Sequence, residues 1–568
     1  MKGLFAFCPT HDFAMPYLAG PLLKGFVESR RADTKVTCVD LNLEFFSRQI
    51  EGYSDLLLSY RESIDGAKIA PAVRAAISHQ NEALKRVRAS ARRHQGHTWS
   101  LRNYRSPLDR QVFARCLEYA QGNTPYDELY REFLDRYRSP DFLAASITVE
   151  DQIQPTFRLL HLAREAWPDT AIILGGNLLN RICQFMDREG LSQLCHYLTL
   201  REGELPLLGI LEHLSGSALP DDPRIVDLSA DELPALGALD ELAPHLHTPL
   251  DVDFQADFSD LDVDAYFSPR PVLPILLSRK CYWGRCAFCT IHMAWDPSHR
   301  ERAAADIVDE LESLHKSTGV RHYRIVDESC PPDLLREVAN SILARHLSLS
   351  FEMYGILERR FLDGGFVRLI GEAGCRQVFF GLESAEPETL VRMSKQINRT
   401  DDLDKIFRQT AEAGVHNYVF TMFGFPGEDL TAQKHTIEYI ISERNIHTVV
   451  VSNFVAELEA PYSRQNAVDL HHDGLMTEKF ALMRSGEKMV PVLAVGADDA
   501  LRAQHEIYTQ RPDLALTALL NEEARLVLTG KFGPSFAQQA LADDPEISTL
   551  ASEVFKTTAD ERIKRQLT

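Results

Sequence analysis

Val272-Leu273-Pro274-Ile275-Leu276-Leu277-Ser278-Arg279-Lys280-Cys281-Tyr282-Trp283-Gly284-Arg285-Cys286-Ala287-Phe288-Cys289 is the stretch on which the reading turns. Its apolar opening, 272–277, reads as a buried strand. Three cysteines therefore sit on a loop just past a strand end. A loop can fold three sulfurs toward one point, and Gly284 supplies the backbone freedom for a tight curl. Three convergent thiolates bind a soft metal, either zinc or an iron–sulfur cluster. With His292 the same cysteines could also make a tetrahedral Cys3His zinc site, so the loop alone leaves both open.

Downstream the pattern repeats. Strand-like runs at 322–326, 350–355, 377–380, 417–422 and 448–452 alternate with helical patterns at about 303–317, 332–346, 402–413 and 431–442. With the run before Cys281 these make six β-α units, closed or nearly closed as a partial barrel. Polar and glycine residues gather just past the strand ends: Asp327-Glu328-Ser329, Gly381-Leu382-Glu383-Ser384 and Gly424-Phe425-Pro426-Gly427-Glu428. Barrel active sites lie at that end.

Upstream, a strand at 3–8, a helix over about 16–29 and a strand at 36–42 form a β-α-β start. That predicts a Rossmann- or flavodoxin-like doubly wound sheet, whose ligands bind beyond the carboxyl ends of its strands. Residues about 44–138 interrupt it as a helical insertion. Its middle is basic, with Lys85, Arg86, Arg88, Arg92, Arg93, Arg102, Arg105 and Arg110 around His94 and His97. Such a run is either a site for an anionic substrate, peptide or carrier, or a solvated helical face. Alternation resumes with strands at 142–149, 171–174 (running into Gly175-Gly176-Asn177) and 197–200, which leads to Arg201-Glu202-Gly203-Glu204. The expected division is a doubly wound domain over 1–216, a linker over 217–270, the barrel over 271–460 and a mostly helical C-terminal domain over 461–568.

Composition narrows the function classes. A chain of 568 residues needs several cores. Its net charge of −21 disfavours general nucleic-acid binding. No apolar run is long enough to span a bilayer, and the N-terminus reads as a first strand rather than a signal peptide. Ten cysteines, three of them clustered, do not make a disulfide framework. A reducing cytoplasm is the expected location.

A three-cysteine loop after the first strand of a six-unit partial barrel resembles the radical S-adenosylmethionine (SAM) superfamily. The usual family spacing is C-x3-C-x2-C; here four residues separate Cys281 from Cys286 and two separate Cys286 from Cys289. The resemblance implies that these cysteines hold a 4Fe–4S cluster with one open iron, which SAM chelates. It implies that Phe288, Asp327, Glu328, Gly381, Glu383, Ser384, Gly424 and Pro426 bind SAM. It implies reductive cleavage to a 5′-deoxyadenosyl radical, fed by a flavodoxin- or ferredoxin-type reductant.

The first domain resembles the cobalamin-binding domain that precedes the barrel in one radical SAM class, and Asp40-Leu41-Asn42-Leu43-Glu44-Phe45-Phe46 looks like members of peptide natural-product maturation. Implied cobalamin contacts are Thr10, Ser146, Thr148, Gly175, Gly176, Asn177 and Glu202. The family's D-x-H-x-x-G loop is missing, since Pro9-Thr10-His11-Asp12-Phe13 has the wrong order. The implied activity is cobalamin-dependent C-methylation of a small molecule or peptide. Epimerisation, rearrangement or carbon–carbon bond formation by radical SAM chemistry, and a zinc-stabilised binding protein, are the alternatives.

Overall fold

The computed structural model describes residues 1–93, 110–183, 186–230, 233, 247–248, 250, 255–290, 299–455, 460–466, 481–485, 488–492 and 497–550. His292, His94, His97, Arg102, Arg105 and the His471-His472 pair lie outside them.

The first sheet contains β1 (Lys2–Phe7), β2 (Lys35–Asp40), β3 (Phe142–Ser146), β4 (Ala171–Gly175), β5 (Tyr197–Thr199) and β6 (Ile225–Asp227), in the order β2-β1-β3-β4-β5-β6. The first five are parallel, and β6 pairs antiparallel with β5. The order reverses between β1 and β3, which is the switch point where doubly wound sheets open a ligand crevice. Strand β6 lies inside the stretch read as a linker. It has only three residues, too few to show a period, so the first sheet reaches further along the chain than the sequence suggested. Local chemistry sets the element ends: Asp40 closes β2 and caps the helix Leu41–Gln49 by accepting from Leu43 N at 2.8 Å.

The insertion is helical, with helices Tyr53–Asp65, Ile69–Arg93, Arg110–Gln121 and Asp127–Arg136. Its apolar faces pack on one side of the sheet. The C-terminal helices join that same core: Leu516, Ala524, Leu528 and Phe536 are buried with Phe45, Tyr60 and Ile77. Helices Pro512–Ala518, Glu522–Phe532 and Phe536–Asp543 thus complete the first domain's core rather than build one of their own. The C-terminal part also contains a hairpin, Ala481–Ser485 with Lys488–Val492, where the sequence suggested helices and loops.

The second sheet contains β7 (Val272–Ile275), then, beyond a small ribbon of β8 (Ser278–Arg279) and β9 (Arg300–Glu301), β10 (His322–Ile325), β11 (Ser350–Gly355), β12 (Cys375–Glu383), β13 (His416–Phe423) and β14 (Thr448–Asn453). Its order is β14-β13-β12-β11-β10-β7, parallel throughout. The six strands form a partial barrel. Alternate residues face outward into the helix layer, among them Leu273, Tyr323, Met353, Val378 and Val419. Their neighbours Arg324, Glu352, Tyr354, Phe379, Tyr418 and Phe420 face the lumen. Among the described residues no helix is long and apolar enough to cross a membrane.

Candidate active site at the mouth of the barrel

The ribbon pairs Ser278 with Glu301 and Arg279 with Arg300, which brings the chain on either side of the cysteine stretch together at the top of β7. Gly284 turns the chain at φ +57°, and Cys289 N donates to Cys286 O at 3.2 Å. The loop is tethered on several sides. Ser329, past the end of β10, donates its hydroxyl to Cys281 Sγ at 3.1 Å. Tyr282 OH donates to Glu358 at 2.6 Å, and Trp283 Nε1 donates to Ser394 O at 3.1 Å. Ala287 N donates to Met393 O, and Tyr462 N donates to Ala287 O. All three thiols are half-buried. Burial pushes the Cys286 thiol up to about 12, against the pull of the nearby Lys395. Such a thiol gives up its proton when a metal takes it as a ligand. Among the described residues no three His, Cys, Asp or Glu side chains are gathered tightly enough to hold a single ion.

The strand ends divide into two groups. Asp327 is buried and turned back into the barrel wall. It accepts from Leu277 N at 2.8 Å and Ser278 Oγ at 2.5 Å, and burial raises its carboxyl to about 7. It therefore fixes the strand that launches the cysteine loop. Ser384 is also buried, hydrogen-bonded to the Thr436 hydroxyl at 3.1 Å and accepting from Glu386 N. Glu328 is exposed at the mouth, and its charge reaches Tyr17 of the first domain.

Beside the loop stand Glu383 and Lys395, a buried ion pair at 2.6 Å. Glu383 holds φ +61° at a register shift between β12 and β13. A Cβ on Gly381 would fall 2.3 Å from Lys395 Nζ, so the glycine leaves the pair its room. Lys395 Nζ is 5.9 Å from the Phe288 ring centre. Gly424 N donates to Glu428, whose carboxyl burial raises to about 7. Phe425, with Met393, Met422 and Phe454, builds a small apolar core against Ala287, Phe288 and Tyr462, while Pro426 is half-buried beside it. Phe288, Gly381, Glu383, Gly424 and Pro426 thus meet around one face of the loop. Lys395 joins them. A lone lysine twelve residues past Glu383 carried no sequence signal.

In the first domain, Thr10 and Ser146 are buried near the ends of β1 and β3. Thr148 N and Oγ1 both donate to Gln152 Oε1, and Gln152 Nε2 donates to Cys8 O at 2.7 Å. Gly175 pairs with Ser146 in register. Gly176 holds φ +110°, and a Cβ there would lie 2.2 Å from Ile147 O. Asn177 begins the helix Asn177–Ile182. These six positions surround the switch point between β1 and β3.

Glu202 does not join them. Its carboxylate is buried against the cysteine-loop ribbon, 2.8 Å from Arg279 and also paired with Arg300. Glu204 accepts from the same Arg279 at 3.2 Å and through a second, shorter contact. Arg300 donates to Thr248 O as well. Burial pushes the Glu202 carboxyl up, but Arg279 and Arg300 outweigh it and hold the group below the usual range. Two glutamates of the first domain therefore grip the two arms of the cysteine loop.

Residues 275–440 match the family model of the radical SAM superfamily. Over 233 residues the chain is 23% identical to an uncharacterized methyltransferase of Pyrococcus horikoshii, covering 41% of this chain and 46% of that protein. Over 178 residues it is 24% identical to bacteriochlorophyllide d C-12(1)-methyltransferase of Chlorobaculum tepidum, covering 30% and 38%. The matched part is thus less than half the length of either relative. Two solved structures share the fold across nearly the whole chain. TsrM of Kitasatospora setae, a radical SAM methyltransferase solved with cobalamin and a 4Fe–4S cluster, superposes with a TM-score of 0.54 at 15% identity, covering 92% of this chain and 89% of that one. OxsB, a cobalamin-dependent SAM radical enzyme solved with aqua-cobalamin, gives 0.58 at 12% identity, covering 99% and 81%. The barrel, over residues 275–440, is therefore a radical SAM domain, joined to a doubly wound domain in the architecture of TsrM and OxsB.

Proposed function

We propose that the chain is a radical SAM enzyme with a 4Fe–4S cluster, and that it is a cobalamin-dependent C-methyltransferase of a small molecule or peptide. The observation that carries this is the meeting of three half-buried thiols with Phe288 and the Glu383–Lys395 pair at the barrel mouth. Cys281, Cys286 and Cys289 would hold three irons and leave the fourth open to SAM. When bound, the cluster supplies the electron that cleaves SAM to a 5′-deoxyadenosyl radical, and cobalamin supplies the methyl group.

The chain's own residues bind, orient and shield. Glu383 and Lys395 offer opposite charges, as an amino acid's carboxylate and ammonium require. Phe288 and Phe425 offer an apolar wall to a flat base. Glu358 and Ser394 hold the loop's aromatic rings in place, and Asp327 and Ser329 hold its entry. In the first domain, Thr10, Ser146, Thr148 and the Gly175-Gly176-Asn177 turn would line the corrinoid face. Radical hydrogen abstraction needs no strong general base. A cytoplasmic location and a flavodoxin- or ferredoxin-type donor belong to the same reading.

Anaerobic reconstitution followed by iron, sulfide and corrinoid analysis tests it. The expected result is a brown, oxygen-sensitive protein that carries corrinoid and yields S-adenosylhomocysteine, 5′-deoxyadenosine and methylated product. No bound corrinoid would remove the cobalamin part. One zinc per chain, with neither iron nor sulfide, would replace the whole reading by a zinc-stabilised binding protein.

A further inference from the structure

Below the strand ends, the barrel lumen carries charges that SAM binding does not use. Arg324 on β10 is surrounded by carboxylates. Its Nη2 lies 2.5 Å from Glu352 Oε1 on β11 and 3.0 Å from Glu523 Oε1, and its Nη1 lies 2.8 Å from Glu522 Oε2. Gln377 on β12 donates to the other Glu352 oxygen at 2.7 Å. The second oxygen of Glu523 is buried and has no hydrogen-bond donor. Asp12, on the loop after β1, adds another negative charge close to Glu523. The neighbouring cation, Arg525, donates to Thr517 O and Leu520 O and lies 4.6 Å from the Tyr418 ring centre, and only its charge, not a hydrogen bond, reaches Glu352. Three carboxylates thus make their direct ion-pair contacts with one guanidinium, with an acceptor left over.

The wall beside them is aromatic. Tyr354 stacks on Phe379 at 4.8 Å, and Tyr418 lies 4.9 Å from both Phe379 and Phe420. Tyr354, Phe420 and Glu522 are only half-buried, so this corner of the lumen stays open. Carboxylates beside aromatic faces make a site selective for cations. Without a cation, surplus buried negative charge is costly, and protons relieve it. Burial lifts Glu352 to about 7 against the pull of Arg324 and Arg525, and Glu523 to about 8 against the pull of Arg324, with the neighbouring carboxylates adding to both.

We infer that the substrate enters the lumen with a cationic group, an ammonium or guanidinium, seated between Glu522, Glu523 and the Tyr354–Phe420 wall. The substrate class is then an amine or a basic side chain on an apolar or aromatic body, and carboxylic acids are excluded. This rests on the lumen being the substrate chamber of the proposed radical SAM enzyme.

Three probes of one shape test it: phenethylamine, phenethyl alcohol and 3-phenylpropionate. Each is titrated calorimetrically at pH 7 into the reconstituted full-length protein under anaerobic conditions. The amine should bind at least tenfold more tightly than the other two. Its binding heat should change with the buffer's ionisation enthalpy, because Glu352 and Glu523 release protons as the cation arrives. Glu522→Gln should cost the amine tenfold and leave the alcohol unchanged, while Glu522→Asp should keep the preference. Should Glu522→Gln fail to fold, Tyr354→Leu should weaken the amine more than the alcohol. Equal binding of amine and alcohol, tighter binding of the acid, or no binding of any probe overturns the inference. Iron and corrinoid are measured on the same sample, so failure of the cofactor reading shows there and leaves the charge preference legible.

Discussion

Replacing Glu202 by Gln tests whether the first domain holds the cysteine loop. In the folded chain, Glu202 and Glu204 balance Arg279 and Arg300, and Glu202 and Arg279 are almost wholly removed from water. Glu202→Gln keeps the shape and deletes one charge, which leaves a surplus positive charge in a buried site. Removing one partner of a buried pair costs roughly 3–5 kcal/mol. Arg279 retains Glu204 and Arg300 retains Thr248 O, so the low end, about 3 kcal/mol, is expected. At 1.4 kcal/mol per factor of ten, that makes opening of the ribbon about a hundredfold more frequent. Hydrogen exchange of residues 278–301 reads this directly, with β11 to β13 as an internal reference. The pH dependence has a definite sign. Glu202 is held below its unfolded value, so its contribution is complete above the ordinary carboxylate range. It is lost only as the pH falls through the depressed folded value. The difference between wild type and variant should therefore be constant from about pH 5 to 8. Unchanged exchange in the ribbon together with weaker corrinoid binding would refute the reasoning and return Glu202 to the cofactor.

Cys286→Ala should lower bound iron to a small fraction of the wild-type content and abolish SAM cleavage with little change in melting temperature, because the thiol lies on a half-buried loop; metal analysis and 5′-deoxyadenosine formation check it. Lys395→Met strands the Glu383 carboxylate in a buried site and should cost roughly 3–5 kcal/mol, with Lys395→Arg restoring part of it in thermal unfolding. Gly176→Ala places a Cβ against Ile147 O in a backbone region only glycine adopts easily, and should destabilise the first domain by roughly 2–3 kcal/mol, seen as a lower melting temperature and weaker corrinoid binding.

The barrel was legible because strand-like runs such as 272–277 and 448–451 recur between helical patterns, the alternation that builds a parallel sheet. Their polar ends, Asp327, Glu383 and Gly424, marked the mouth. Where those side chains turn was not legible. Asp327 and Ser384 spend their oxygens on the barrel itself, a choice made by neighbours as distant in sequence as Leu277 and Thr436. Glu202 shows the same limit. Its turn has a recognisable sequence, but its partner is set by how two domains dock. One signal was available: Arg279 stands at the end of a buried apolar strand, two residues before a thiol, and a buried arginine demands a carboxylate. Strand β6 was too short to announce itself. The strands Ala481–Ser485 and Lys488–Val492 are short, and a proline inside the second argues against a strand, so they did not announce themselves. The lumen's charge surplus was invisible because Glu522 and Glu523 look like ordinary acidic residues of a first helical turn.

The shared core of the insertion and the C-terminal helices imposes an order on biosynthesis. Gln80 and Asn521 exchange hydrogen bonds at 2.9 Å across 441 positions of sequence. At about 5–20 residues per second, the ribosome delivers the second partner roughly 20–90 s after the first. Throughout that time the apolar faces around Tyr60 and Ile77 lack Leu516, Ala524 and Leu528. The nascent first domain thus waits, half-covered, for the last part of the described chain, and a chain stopped before residue 512 would release it sticky rather than merely shortened.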